Sequence, residues 1–325
     1  MSSIILYIYQ MKKTGVFLFG LIIGFFTYAQ RISRPDFLFL KKNEDSLKTQ
    51  SFKLAMGRNA SDRFTADSIF TRMFVRSLKT TNSFYYPFDS LLNISKLYAP
   101  DSSFRIYTWQ LMINENTIRQ HGAIQMKTVD GSFKRFPLLD KSDITTSPAD
   151  TVGSNEGWMG AVYYKIIQKN YDGQTFYTLL GFDENNIRSD KKVMEILQFI
   201  NGKPVFGNPL FVIENSNSYK KNIARYILEY KKEATTRLTY DPDLDAVVFD
   251  ELVSETGDAK KKWTLIPDGE YEGFKWKNGK WVYTKNLFSG TPTIKYSAPL
   301  PVRDVKGTIN EGKLKGGEIP PELPN

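Results

Sequence analysis

The stretch WMGAVYYKIIQKNYDGQTFYTLLGFDENNIRSDKKVMEILQF, residues 158–199, decides how the chain is read. Residues 158–168 are almost wholly apolar, Tyr171-Asp172-Gly173 is a turn signal, and residues 175–182 alternate between two faces until Asp183-Glu184-Asn185-Asn186 breaks the pattern. A second apolar run, residues 193–199, follows. Two periodicities compete there. Val193, Ile196, Leu197 and Ile200 fit a helix, whereas Val193, Glu195, Leu197 and Phe199 fit a strand. The run is short and ends on Asn201-Gly202, a strong hairpin turn, so it reads as a strand.

The same grammar of short half-buried segments continues downstream. Residues 206–213, 223–230, 235–240, 246–252, 263–266, 270–276 and 280–283 read as strands, with turns at Asp241-Pro242, Pro267-Asp268-Gly269 and Lys277-Asn278-Gly279-Lys280. Such spacing, without helices long enough for crossovers, predicts an antiparallel meander. Upstream, residues 104–113 surround Trp109, and residues 121–128 and 133–138 form a hairpin across Asp130-Gly131. Residues 140–157 are polar and read as an internal loop.

Before the strands the pattern is helical. Thr65 is the expected N-cap of a helix whose first turn holds Asp67 and whose stripe is Ile69, Phe70, Met73, Phe74 and Leu78. Residues 42–56 give a weaker helical signal, and residues 89–98 fit a short helix closed by Pro100. The expected fold class is therefore α+β. An N-terminal helical layer (residues 30–100) packs on a large antiparallel β-domain (residues 101–288), which must become a sandwich, barrel or propeller-like array to protect its edges. Residues 289–325, rich in Pro, Gly and Lys, read as a disordered tail.

Composition narrows the chemistry. The 18 tyrosines and 23 phenylalanines favour strands. The formal charge of +9 comes from 44 basic residues against 35 acidic ones, with lysines scattered in pairs beside turns, so no nucleic-acid partner is expected. The lack of cysteine rules out disulfides, thiolate zinc sites and a cysteine nucleophile, and the single histidine, His121, rules out any site needing two. No cofactor is expected, and no Walker loop or nucleophile elbow occurs.

Several segments together resemble a family of exported proteins from Bacteroidota. They are Tyr177-Thr178-Leu179-Leu180-Gly181-Phe182-Asp183-Glu184-Asn185-Asn186, Lys191-Lys192, Pro204-Val205-Phe206-Gly207 and Val248-Phe249-Asp250-Glu251-Leu252, extended by residues 267–274 and 278–282. The resemblance covers residues 104–283. It implies a secreted or periplasmic location and a β-rich body, and it transfers no catalytic residue.

Candidate site residues come from strand ends. Asp183 and Asn185 follow an apolar strand, Asp250 and Glu251 close another, and Trp158 heads the aromatic residues that would stack on a sugar or peptide. These five are the expected binding residues. Asp241, Asp243 and Asp245 sit at alternate positions like the start of a calcium loop, but Ala246 and Leu252 stand where Gly and Glu are required, so the segment reads as a turn without metal. The functional expectation is an exported non-enzymatic protein that binds an envelope partner, glycan or peptide. The alternative is an acid/base hydrolase using carboxylates near Asp183, Asp250 or Glu270.

Met11-Lys12-Lys13, the apolar residues 16–26 and Thr27-Tyr28-Ala29 form a signal-peptide pattern, with Met1 or Met11 as the start. The apolar core is short of the ~20 residues needed to span a bilayer. Cleavage is expected between Ala29 and Gln30. Intact-mass measurement of the native protein should give a chain beginning at Gln30; retention of residues 11–29 would make it an anchored protein instead.

Overall fold

The computed structural model describes residues 32–214, 220–285 and 287. The expected signal peptide and C-terminal tail lie outside the described residues. Helix α1 (Arg34–Met56) starts where the Ser33 hydroxyl accepts the backbone N–H of Asp36 at 3.2 Å and Pro35 occupies the first turn. It is longer than the sequence signal because its buried face, Leu40, Glu44, Leu47, Ser51 and Leu54, includes two polar residues. Helix α2 (Ala60–Leu78) is capped by Asn59, not Thr65, which lies inside the helix. Phe70, Phe74 and Leu78 form its buried stripe as expected.

Residues 89–98 are not a helix. Turns lead into strand β1 (Ser95–Tyr98), because pairing with β2 (Phe104–Asn114), from Ser95 opposite Thr108 to Tyr98 opposite Arg105, satisfies backbone groups that so short a helix would leave open. Strands β3 (Thr117–Met126) and β4 (Lys134–Leu139) form the expected hairpin and complete a first sheet in the order β1-β2-β3-β4.

The stretch at residues 158–199 builds the second sheet. Its strands are β5 (Gly153–Ser154), β6 (Val162–Tyr171), β7 (Gln174–Asp183), β8 (Ser189–Ile200) and β9 (Lys203–Phe206), in the order β5-β9-β8-β7-β6. Strand β8 is long enough to pair with β9 through one end and with β12 (Arg225–Lys231) through the other.

The third sheet has the order β11-β10-β16-β15-β14-β13. It comprises β10 (Phe211–Glu214), β11 (Lys220–Ile223), β13 (Leu238–Asp241), β14 (Ala246–Ser254), β15 (Leu265–Lys277) and β16 (Lys280–Thr284). The expected strand at residues 206–213 is divided between the end of β9 and β10. Conversely, the strands expected at 263–266 and 270–276 merge into one that begins at Leu265, Trp263 and Thr264 lying in a 3-10 turn before it. Pro267-Asp268-Gly269 makes no hairpin; it bulges where β14 advances from Asp250 to Leu252 while β15 runs from Tyr271 back to Pro267, with Gly269 at φ +97°.

These elements stack as an α+β sandwich of helices and three sheets, with no closed barrel. Every strand pairing is antiparallel except β10 with β16. On β2, Tyr107, Trp109 and Leu111 pack under α1 and α2, while Phe104 and Ile106 face the second sheet. On β7, Tyr177 and Leu179 face the first sheet, while Phe176 and Leu180 face the third. The second sheet is thus covered on both faces, which is why β7 and β8 read as nearly continuous apolar runs. No helix among the described residues is long and apolar enough to cross a membrane.

One charged pair sits inside this stack. Glu195 on β8 and Arg225 on β12 are cross-strand neighbours, each 1% exposed, with Arg225 Nε donating to Glu195 Oε2 at 2.7 Å. Arg225 Nη1 also reaches the carbonyls of Pro148 (2.6 Å) and Thr151 (3.3 Å), and the other Glu195 oxygen accepts the Tyr163 hydroxyl. Removing one partner leaves a buried charge uncompensated. Arg225→Met should lower stability by about 3–5 kcal/mol in urea melts. Adding Glu195→Gln, which removes the stranded charge and keeps an acceptor for Tyr163, should recover part of that loss.

Candidate functional site: an acidic cleft between two sheets

Where the second and third sheets part, β12 and the β14–β15 pair leave a cavity of about 590 Å³. Tyr226, Leu252 and Leu265 are among its apolar lining residues. The Tyr226 ring lies 4.8 Å from Phe249 and 5.0 Å from Phe274, so that wall continues the core. Its polar lining holds four carboxylates, Glu229, Asp250, Glu251 and Glu272, against two lysines, Lys191 and Lys262. A chain that is basic overall therefore presents a locally acidic concavity.

The backbone explains the clustering. Glu272 stands opposite Phe249 in the β14–β15 register, and the adjoining bulge places Asp250 and Glu251 beside it at the same cleft. Asp250 is 9% exposed and its Oδ2 accepts the backbone N–H of Arg237 at 2.6 Å. Glu251 Oε1 meets Lys285 Nζ at 3.2 Å. Across the cleft, Glu229 Oε1 accepts the Ser189 hydroxyl at 2.6 Å and an Asn185 amide hydrogen at 3.3 Å. Glu272 accepts the Tyr283 hydroxyl. Burial, reinforced by the Glu251 charge, raises the Glu272 carboxyl above the usual glutamate range; the Tyr283 hydrogen bond and Lys285 oppose this.

The structure brings together part of the sequence-based set. Asp250 and Glu251 line the cleft. Asn185 is one hydrogen bond removed: in a left-handed turn at φ +52°, it holds Glu229 through its amide and accepts Lys191 Nζ at 2.6 Å through its carbonyl. Asp183 is not a lining residue. It accepts the Asn185 backbone N–H (3.0 Å) and Gln120 Nε2 (3.0 Å), and burial raises its carboxyl despite those bonds and Lys191. Trp158 is fully buried between the first two sheets, its Nε1 donating to the Tyr163 hydroxyl at 2.7 Å, and it offers no face to a ligand.

The other tryptophans are also poorly placed for a stacking platform. Trp109 and Trp281 are buried, the half-buried Trp276 packs 5.7 Å from Phe176 and 5.3 Å from Trp281, and the Arg188 guanidinium lies 4.6 Å from the ring centroid of the exposed Trp263. Glu270 is exposed in the bulged stretch, outside the cleft. Asp241, Asp243 and Asp245 form the expected turn. Asp241 Oδ1 accepts the N–H groups of Asp243 (2.9 Å) and Leu244 (3.1 Å), and Asp245 is held by Lys169 and by the Tyr240 hydroxyl at 2.7 Å.

Glu229, Lys191 and Tyr283 were not among the expected site residues. Glu229 and Lys191 oppose each other in the β8–β12 register, but that pairing joins residues far apart in sequence. The signal within reach was the even spacing of Glu270 and Glu272, which put both on one strand face without showing which one the bulge exposes. The chain matches no protein-family model, no curated protein and no solved structure.

The raised Glu272 carboxyl has a thermodynamic consequence. A folded-state value above the unfolded one means the native protein binds the proton more tightly, so this contribution to stability is complete below the ordinary value of 4.5 and is lost as pH rises through the raised value. Glu272→Gln should remove that contribution. In urea melts, wild type should lose stability relative to the variant as pH rises from 4.5; a constant difference would show that Glu272 is unperturbed.

Proposed function

We propose that this is an exported, non-enzymatic envelope protein of the Bacteroidota type it resembles, which binds a glycan or peptide in the acidic cleft. The observation carrying the reading is the set of four carboxylates on a half-apolar concavity, each already oriented by a protein donor. Preoriented acceptors suit the hydroxyls of a sugar or the ammonium groups of a peptide, and the apolar wall at Tyr226 and Leu265 suits a sugar face or aliphatic stem. The periplasmic or secreted location rests on the signal-peptide pattern and the resemblance.

One feature favours a second reading, hydrolysis. Glu272, whose carboxyl is raised by burial, shares the cleft with Glu251, and glycoside cleavage uses two carboxyls as acid and base. Titration calorimetry with amino-sugar oligomers and with lysine-containing peptides tests both. Binding by wild type and a loss of roughly tenfold or more in Glu251→Gln, the scale of one charged hydrogen bond, would support the binding site. Release of reducing ends that Glu272→Gln abolishes would establish the hydrolase instead. No heat with either ligand class would remove the cleft as the binding site.

A further inference from the structure

A second cavity, of about 420 Å³, lies between α2 and strands β3 and β4, apart from the acidic cleft. Its apolar wall includes Phe74, Val75, Leu78 and Leu138. On α2 the sequence positions Asp67, Thr71, Phe74 and Leu78 repeat at three- and four-residue intervals, so one helix face carries a polar end and an apolar end into the same space.

The polar end is built. Asp67 Oδ1 accepts both Trp109 Nε1 at 2.9 Å and His121 Nδ1 at 3.0 Å, which fixes the chain's single histidine by one nitrogen and leaves Nε2 for another partner. The Thr71 hydroxyl oxygen is buried and makes no hydrogen bond among the described residues. A buried hydroxyl without a partner is unfavourable, and one that lines a cavity gains from a ligand acceptor. Arg72 and Arg135 also line the cavity, are exposed, and form no ion pair among the described residues. The one carboxylate in the lining, Asp67, is already committed to Trp109 and His121.

We propose that this cavity binds a small amphipathic carboxylate, its aliphatic body against Phe74, Leu78 and Leu138 and its anionic head between Arg72, Arg135 and the Thr71 hydroxyl. Two cations without ion-pair partners and an unused donor complement an anion, while the apolar wall complements a hydrocarbon chain. The volume is near the small end of the ~300–1,000 Å³ range of ligand pockets, which fits a short chain and excludes a folded partner.

The probes are octanoate, octanol and octylamine, titrated into the full mature chain by calorimetry. They share a body and differ in the head. Octanoate is expected to bind at least about tenfold more tightly than the other two, the scale of a charge-assisted hydrogen bond. Arg72→Gln/Arg135→Gln, at exposed positions, should erase that preference while leaving the thermal midpoint unchanged. Thr71→Val, nearly isosteric, should weaken octanoate alone without lowering the midpoint. Equal binding of the three probes, no octanoate binding up to its solubility limit, or octanoate affinity indifferent to both variants would overturn the assignment. Octylamine also suits the acidic cleft, so the three titrations are repeated in Glu251→Gln, which alters that cleft and leaves this cavity's lining intact.

Discussion

The Glu195–Arg225 pair marks the constraint on which the architecture rests: the second sheet has no face in water. A two-faced sheet must satisfy inside the protein every polar group it carries. Glu195 does so with Arg225 and Tyr163, Tyr163 also accepts Trp158 Nε1, and Arg225 ties the network to the carbonyls of Pro148 and Thr151. Thr178 meets the same demand on the opposite face by accepting Trp281 Nε1 at 2.8 Å. The desolvation cost of a buried ion pair cancels much of its attraction, so its clearer consequence is register. A slip of one residue would carry the Glu195 carboxylate into the layer that holds Met194 and Ile196 against the third sheet.

This two-sided burial sets how much of the fold was legible. Alternation is a clear signal when one strand face is wet. It blurs when both faces are dry, and the competing helix and strand readings of residues 193–200 are that blur expressed in sequence. The Asn201-Gly202 turn resolved it because turn chemistry is local. The errors arose where distant partners outweighed local preference. Residues 89–98 gave up a short helix for the edge of β2, and the Pro267-Asp268-Gly269 signal became a bulge because β14 extends beyond it to pair with Leu265 and Ile266.

The site was legible in residue type more than in arrangement. The expectation of strand-end carboxylates picked out Asp250 and Glu251, but β14 runs on to Ser254 and the two sit at its bulge, with Asp250 buried. Trp158 followed a sound rule about aromatic residues that burial in this stack overrode: its large ring fills the space between two sheets, and the Tyr163 hydroxyl satisfies its only donor. Glu229 and Tyr283 join the cleft only after β12 has paired with β8 and β16 with β15. No short window of sequence contains the β8–β12 pairing; the β15–β16 hairpin is local, but its turn did not show that Tyr283 reaches Glu272.

Both cavities occur where neighbouring layers diverge, one between the second and third sheets and the other beneath α2. Layers of twisted strands cannot remain in contact along their whole length, because each sheet turns relative to the next and the gap widens toward an end. The core closes that gap with aromatic residues where it is narrow, as Phe74 does against Tyr107 and Phe249 against Tyr226. Farther out the gap stays open, and each cavity keeps an apolar wall beside its polar groups. The layers flanking the second sheet are thus left open at their margins. That is where exposed side chains such as Arg72 and Arg135 are free to be selected for a ligand, because their substitution does not disturb the packed stack.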